Sequence, residues 1–435
     1  MQYTEAVSYF EKFPMGDLSL VAIKKLLSEL NNPENSLKAI HIAGTNGKGS
    51  VSNLLKNILM AQGYRVGIYN SPYISSPCET IMINHQPISK DDFTSISEKI
   101  IAIANKMKHE GFTHPSSFEC YTAIAFQYFH QEQTDYVIVE AGMGGISDAT
   151  NVFENPILSI ITSISYDHMQ FLGNTLELIA ENKAGIIKPG SPFLIGKNPD
   201  NVISTILSKA ADPSLATIYS PSHAEISILN SSISSTVFSI KTPCFNYPSI
   251  ETALLGAHQI DNIALALTAC SILKNRNILE LSEKAILSGI KNTRWPLRCE
   301  YFNQPSPLLI DGAHNKDSID AFCNVLDTYF KDYDITFLFA SLSDKDTDYM
   351  LKQLSRYSDA IFLTEALSPR SLSVEELNTL ALKYFSRIFT NTKLQQAFSL
   401  ALKSCDSLSK KKRNTLLCCV GSLYLAHPIS ALLKG

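Results

Sequence analysis

No stretch of this chain approaches the ~18–20 consecutive apolar residues that a membrane span needs. Basic blocks are equally scarce. Lys and Arg number 37 against 41 Asp and Glu, for a net charge of −4. The one dense basic run is Lys410-Lys411-Lys412-Arg413, which reads as a solvated turn ahead of a strand Thr415–Val420. Nucleic acid as the main partner is therefore excluded. Metal-spaced cysteines are missing as well. The nine cysteines are scattered, and Cys120, Cys270, Cys323, Cys418 and Cys419 lie in apolar runs, as small core hydrophobes of a reducing compartment do. Residues Met1 to Ala6 carry neither a basic nor an apolar segment, so no secretory leader is expected. These absences point to a soluble, cytoplasmic protein, expected as a monomer, with small molecules as partners.

At 435 residues the chain exceeds one ordinary core, and two domains are expected, over 1–295 and 296–435. Apolar strand candidates alternate with helical ones in the first. The strands are Ala39–Ala43, Arg65–Tyr69, Asp135–Ala141, Ile157–Ser163 and Pro192–Ile195. The helices are Ser50–Met60, Lys90–Lys108, Phe118–His130 and Thr175–Lys188. Such alternation implies an α/β fold with a parallel sheet covered on both faces. Glu225–Leu229 and Thr236–Ile240 instead alternate apolar with polar, a small antiparallel addition. Two helices, His258–Leu273 and Ile278–Lys291, follow. A second, Rossmann-like βα series has strands Leu308–Asp311, Ile335–Ala340, Ala360–Leu363, Arg387–Thr390 and Thr415–Val420. Ligands of open α/β sheets bind at the carboxyl ends of strands, so the reaction site is expected in the cleft between the domains.

The strand Ala39–Ala43 runs into Gly44-Thr45-Asn46-Gly47-Lys48-Gly49-Ser50 and then a helix. Glycines let backbone N–H groups close on phosphate oxygens, the helix N-terminus adds partial positive charge, and Lys48 adds a full one. The loop departs from the common G-x-x-x-x-G-K-[ST] form, because Gly44 lies three residues before Gly47 and Gly49 separates Lys48 from Ser50.

Other polar residues follow strand ends. Glu140 closes an apolar strand ahead of Gly142, Gly144, Gly145, Asp148, Thr150 and Asn151. A carboxylate there is costly to desolvate unless a cation pairs with it, and magnesium beside the phosphates is one such cation. Asp167 and His168 lie beyond Ile157–Ser163. His168 alone reads as a structural histidine, since magnesium prefers oxygen, and Lys183 reads from spacing as an ordinary helix lysine. Asp311-Gly312-Ala313-His314-Asn315 suits a ribose or another polar ligand, whereas Asp344-Lys345-Asp346 reads as a solvated loop.

Together these segments are more specific than any one of them. The loop Gly44–Ser50 resembles that of the Mur ligase superfamily, and its Lys-Gly-Ser ending resembles the folate branch, folylpolyglutamate synthase and dihydrofolate synthase. The resemblance continues in order through Ser71-Pro72 with Glu79-Thr80-Ile81, Glu140 to Asn151, Thr162 to Gly173, and Glu181 to Ile186. It then takes in Gly256 to Gln259 with Asn262, Trp295 to Arg298 with Glu300, Asp311 to Asn315, and Asp344 to Asp346.

The resemblance implies an ATP-dependent ligase that joins L-glutamate to dihydropteroate or a reduced folate through an acyl phosphate. It implies Gly44, Thr45, Asn46, Gly47, Lys48, Gly49, Ser50, Asn262, Arg298 and Asp311 as nucleotide contacts. Ser71, Glu140 and His168 match magnesium ligands, and Lys183 matches a lysine that is carbamylated and holds a second magnesium. These matches replace the plain readings of His168 and Lys183. Lys48, Lys183, Asp311 and His314 carry the catalytic roles, with His314 near glutamate and the acyl phosphate. Departures from the pattern are Ile146 where an arginine is usual, Leu297 where a glycine is usual, and Asn182 where a glutamate is usual. Cell-wall precursor ligases place Thr or Ser directly after the lysine, which Gly49 contradicts. A non-catalytic nucleotide binder would need no metal pair.

Overall fold

The computed structural model describes residues 1–13, 19–304, 306–409 and 414–434, so the basic run Lys410–Arg413 lies outside the described residues. The chain forms two compact units. One comprises Met1–Ser227, Ser239–Ile250 and Asp261–Thr293, and the other Ile228–Phe238, Glu251–Ile260 and Arg294–Gly435.

The first unit is built on eight strands: β1 (Ala39–Ala43), β2 (Val66–Tyr69), β3 (Ile81–Ile83), β4 (Gln86–Pro87), β5 (Tyr136–Glu140), β6 (Leu158–Ile161), β7 (Phe193–Ile195) and β8 (Ala216–Ile218). Their order is β4-β3-β2-β5-β1-β6-β7-β8. Pairing is parallel from β2 to β8, and every residue of β1, β2, β5, β6 and β7 is buried. That burial explains why these strands read as continuous apolar runs. The edge strands β3 and β4 pair antiparallel. At three and two residues they are too short to show a period in the sequence.

The helix Lys48–Gln62 starts two residues earlier than the expected Ser50, because Gly47 caps it at φ +87°. It packs on the helix Glu283–Asn292 so closely that a Cβ on Gly289 would lie 2.5 Å from the Cα of Ile58. That second helix is shorter than the expected Ile278–Lys291, because Ser282 caps its first turn by accepting from the Ala285 N–H. The expected helix Thr175–Lys188 spans only Leu176–Ala184, capped by Thr175 and ended at Gly185.

Three further strands, β9 (Glu225–Ser231), β10 (Thr236–Lys241) and β11 (Asn246–Thr252), form their own sheet in the order β11-β10-β9. The links, residues 232–235 and 242–245, are too short for a parallel crossover, so the sheet is a meander.

The second unit holds β12 (Glu300–Phe302), β13 (Leu308–Ile310), β14 (Asp334–Phe339), β15 (Ala360–Leu363), β16 (Arg387–Thr390) and β17 (Thr415–Val420), ordered β12-β13-β17-β14-β15-β16. All pairs are parallel except β12 with β13. Its core gathers Phe322, Phe330, Phe337 and Phe339 with Leu326, Met350 and Leu377. Among the described residues no helix is long and apolar enough to cross a membrane.

Candidate active site

In the first unit β2, β5, β1 and β6 are consecutive in the sheet. Glu140 ends β5, and Ser71, the loop 44–47 and His168 follow the carboxyl ends of β2, β1 and β6, where ligands of parallel sheets bind. The loop is fixed by its neighbour. Thr45 N donates to Ser163 O over 2.7 Å, Ser165 N donates to Thr45 Oγ1 over 3.0 Å, and Thr162 Oγ1 donates to Asn46 O over 2.8 Å. Gly44, at φ +149°, leaves no room for a side chain, since a Cβ would sit 1.8 Å from Thr162 Oγ1. A Cβ on Gly47 would sit 2.6 Å from Asn262 Oδ1, so Asn262 lies against the loop. Because Lys48 opens the helix, the N–H groups of Lys48, Gly49 and Ser50 belong to its first turn, whose donors have no intrahelical partner.

Two lysines meet at one oxygen. Lys48 Nζ donates to Gly44 O over 3.1 Å, and Lys183 Nζ donates to the same carbonyl over 2.8 Å. Lys48 Nζ also lies 3.7 Å from Glu140 Oε1. Glu140 is 6% exposed and Lys183 5%. Burial, with the Lys48 charge second, pushes the Lys183 ammonium down to about 7, against the opposing pull of Asp167, Asp148 and Glu140. A buried charge is disfavoured, and a second cation adds to that.

The glycine loop after β5 is held from two directions. Met143 N donates to Asp148 Oδ2 over 2.7 Å, and Gly145 N donates to Asn182 Oδ1 over 3.0 Å. Asn182 thus uses its amide to brace the loop, and its carbonyl accepts from Ile146 N over 3.0 Å. Ile146 itself is exposed. Burial raises the Asp148 carboxyl, while hydrogen bonds from Thr150 and Met143 and the Lys183 charge act against the rise. Behind this loop lies a residue that the sequence did not mark. His41, fully buried on β1, places Nε2 2.8 Å from Thr150 Oγ1, and Thr150 Oγ1 donates to Asp148 Oδ1 over 2.5 Å. Burial pushes the His41 imidazole down to about 3, so it is neutral. A polar residue inside an apolar strand was the available signal. Asn198 was also unmarked. It donates to Thr162 O and accepts from Ile164 N, which fixes the end of β6.

His168 has a left-handed backbone at φ +49° and caps a short turn of helix. Its Nε2 lies 3.8 Å from Asp167 Oδ2. Ser71 follows Asn70 beyond β2 and is partly exposed. Among the described residues no three His, Cys, Asp or Glu side chains form a metal cluster. The set matched to magnesium needs none, since Glu140 and His168 are its only members of those types.

In the second unit Asp311 follows β13 and is 6% exposed. Its Oδ2 accepts from Cys299 N over 2.7 Å and its Oδ1 from Ala313 N over 2.6 Å. A carboxylate has about four acceptor sites, so lone pairs remain for a hydroxyl ligand. Arg298 runs beside Gly312, where a Cβ would lie 3.4 Å from its Nη1. His314 Nδ1 lies 2.8 Å from Gly312 O. A carbonyl can only accept, so Nδ1 carries a proton. Asn315 and Ser318 form the capping box of the helix Lys316–Tyr329. Asp344 lies exposed in a turn, in line with the solvated-loop reading, 3.5 Å from the largely buried Lys345 and 3.4 Å from Arg370.

Comparison with known proteins matches the Mur ligase middle domain over residues 42–270 and the dihydrofolate synthetase C-terminal domain over residues 298–432. The dihydrofolate synthase/folylpolyglutamate synthase of Bacillus subtilis (strain 168) is 34% identical over 415 residues, 95% of this chain and 94% of that protein. The folylpolyglutamate synthase of Lacticaseibacillus casei is 30% identical over 446 residues, covering 100% and 99%. Among solved structures, Mycobacterium tuberculosis folylpolyglutamate synthase complexed with ADP and AMPPCP superposes with a TM-score of 0.89 at 29% identity, covering 100% of this chain and 99% of that one. An FPGS–AMPPCP–folate complex gives 0.81 at 27%, covering both chains fully.

Proposed function

Because this chain belongs to the dihydrofolate synthase and folylpolyglutamate synthase family of Mur-type ligases, and is an ATP-dependent ligase of L-glutamate and a pteridine carboxylate, we propose that the Gly44–Ser50 loop, with Lys48, carries its phosphoryl transfer. The observation that supports this most directly is the convergence of Lys48 and Lys183 on the Gly44 carbonyl, with Glu140 alongside. Two anions, carboxylate and triphosphate, must approach each other. Lys48 and the first-turn N–H groups offset their repulsion and stabilise charge on the transferring phosphoryl oxygens. The substrate carboxylate oxygen bonds to the γ-phosphorus and ADP leaves. The amine of glutamate then attacks the acyl carbon and loses a proton, and the C–O bond breaks to release phosphate.

Asn262, Arg298 and Asp311 are the proposed nucleotide contacts outside the loop. His314 is assigned to the glutamate and acyl phosphate step. Ser71, Glu140 and His168 would hold magnesium. The oxygens of Ser71 and the buried Glu140 suit a hard cation, and the imidazole is the less usual donor. Magnesium there would neutralise phosphate charge and polarise the phosphoryl group. A second ion would be held by a carbamate on Lys183, an anion that a bare ammonium cannot replace. The depressed ammonium of Lys183 supports this, since only the neutral amine adds carbon dioxide. Relatives at similar identity carry both names, and the reading covers both dihydropteroate and reduced folates as acceptors. Every cysteine is a thiol, and the proposed location is the cytoplasm.

The acyl phosphate is tested with a substrate carboxylate labelled in a heavy oxygen isotope. One label should appear in the released phosphate. Unlabelled phosphate would exclude the acyl phosphate.

A further inference from the structure

Arg298 is framed by two residues in the left-handed region, Leu297 at φ +62° and Cys299 at φ +47°. Both are buried and neither is glycine, and non-glycine residues of this bulk are strained there. Each of their N–H groups is tied to a carboxylate. Leu297 N donates to Glu300 Oε2 over 3.0 Å, and Cys299 N donates to Asp311 Oδ2 over 2.7 Å. The Leu297 carbonyl accepts from Gly312 N over 2.9 Å. The same Glu300 oxygen also accepts from Ser430 Oγ over 3.3 Å. Glu300 is placed by β12, where it pairs with Ile310, the residue before Asp311. A glycine at 297 would take this conformation without help, whereas a leucine must be held in it.

We infer that Glu300 is a positioning residue for Arg298: its carboxylate holds the Leu297 backbone left-handed and so aims the guanidinium at the nucleotide. This rests on the reading of Arg298 as a nucleotide contact. The effect of Glu300 passes through the Leu297 N–H to the next residue in the chain. The effect is therefore confined to the ATP side of the reaction.

The test is steady-state kinetics on the full chain, varying ATP, L-glutamate and the reduced folate in turn. Glu300→Ala should raise the KM for ATP about tenfold, the equivalent of about 1.4 kcal/mol, with the other two KM values within about twofold. Glu300→Gln keeps an acceptor oxygen and should stay near the parent. Adding Leu297→Gly to Glu300→Ala should bring the ATP KM back toward the parent even if the melting temperature stays low, which a merely structural role would not produce. If Glu300→Ala does not fold, Glu300→Asp retracts the carboxylate and should raise the ATP KM alone, by about threefold. Arg298→Ala separates the two layers. An ATP KM raised by Arg298→Ala but not by the Glu300 variants, or a rise that Leu297→Gly does not relieve, overturns the positioning role. An ATP KM unmoved by Arg298→Ala overturns the reading of Arg298 itself.

Discussion

Lys183 Nζ donates to the carbonyl oxygen of Gly44 across 2.8 Å, tying a buried helix lysine to the first glycine of the phosphate loop. Lys48 Nζ reaches the same oxygen at 3.1 Å. Two ammonium groups sharing one carbonyl are unfavourable together in a buried site, and conversion of one into an anion removes the conflict. The same geometry that strains the free lysine supports the proposal that Lys183 is carbamylated.

The pH dependence follows from that position. Only a neutral amine adds carbon dioxide, and the Lys183 ammonium is pushed down to about 7. About half of it is neutral at pH 7, against on the order of one in a few thousand for an ordinary lysine. Uptake of carbon dioxide should rise as pH rises through 7 and level off about one unit higher. The measurement is intact-protein mass after incubation with bicarbonate at a series of pH values, with Lys183→Met as the control that gains no mass.

Lys48→Ala should lower kcat by about 10²–10³ for loss of one charged transition-state contact. Its circular dichroism should stay close to the parent, because Lys48 contacts carbonyls and a carboxylate rather than apolar core. Phosphate release under saturating ATP checks this.

Thr150→Val removes the hydroxyl that links His41 Nε2 to Asp148 Oδ1. It leaves a buried imidazole and a buried carboxylate each short of a partner, at a cost of about 1–3 kcal/mol. Urea unfolding should show the midpoint falling at an unchanged slope.

Gly289→Ala puts a Cβ 2.5 Å from the Ile58 backbone, where no flexible side chain can yield. The helix carrying the phosphate loop must shift, with a loss of about 1–3 kcal/mol from overpacking. Both thermal stability and ATP affinity should fall, whereas Gly63→Ala, strained at φ +104° but meeting nothing within 4 Å, should lower thermal stability and leave ATP affinity unchanged.

Much of this arrangement could be read from the chain, for reasons that differ by element. The strand Ala39–Ala43 and its loop were legible because burial on both faces forces a continuous apolar run and the turn needs glycine. The first turn of the next helix was misplaced by two residues, since a capping glycine at φ +87° looks in sequence like more loop. The strands Ile81–Ile83 and Glu300–Phe302 are too short to carry a period. Lys183 was illegible from spacing, because what sets it apart is a carbonyl 139 positions away. His41 was hidden for a similar reason, its partner Thr150 lying 109 residues on. Family resemblance supplied a role for Lys183, while that of His41 came only from the packed structure.

The most direct measurement is glutamate addition by the purified chain, with product mass and phosphate release followed together. The reaction contains ATP, magnesium, L-glutamate and either dihydropteroate or a tetrahydrofolate. The expected result is one phosphate released for each glutamate joined, with at least one acceptor, and loss of both signals in Lys48→Ala. Phosphate release independent of glutamate, or none with either acceptor, would contradict the assignment of this site to amide ligation.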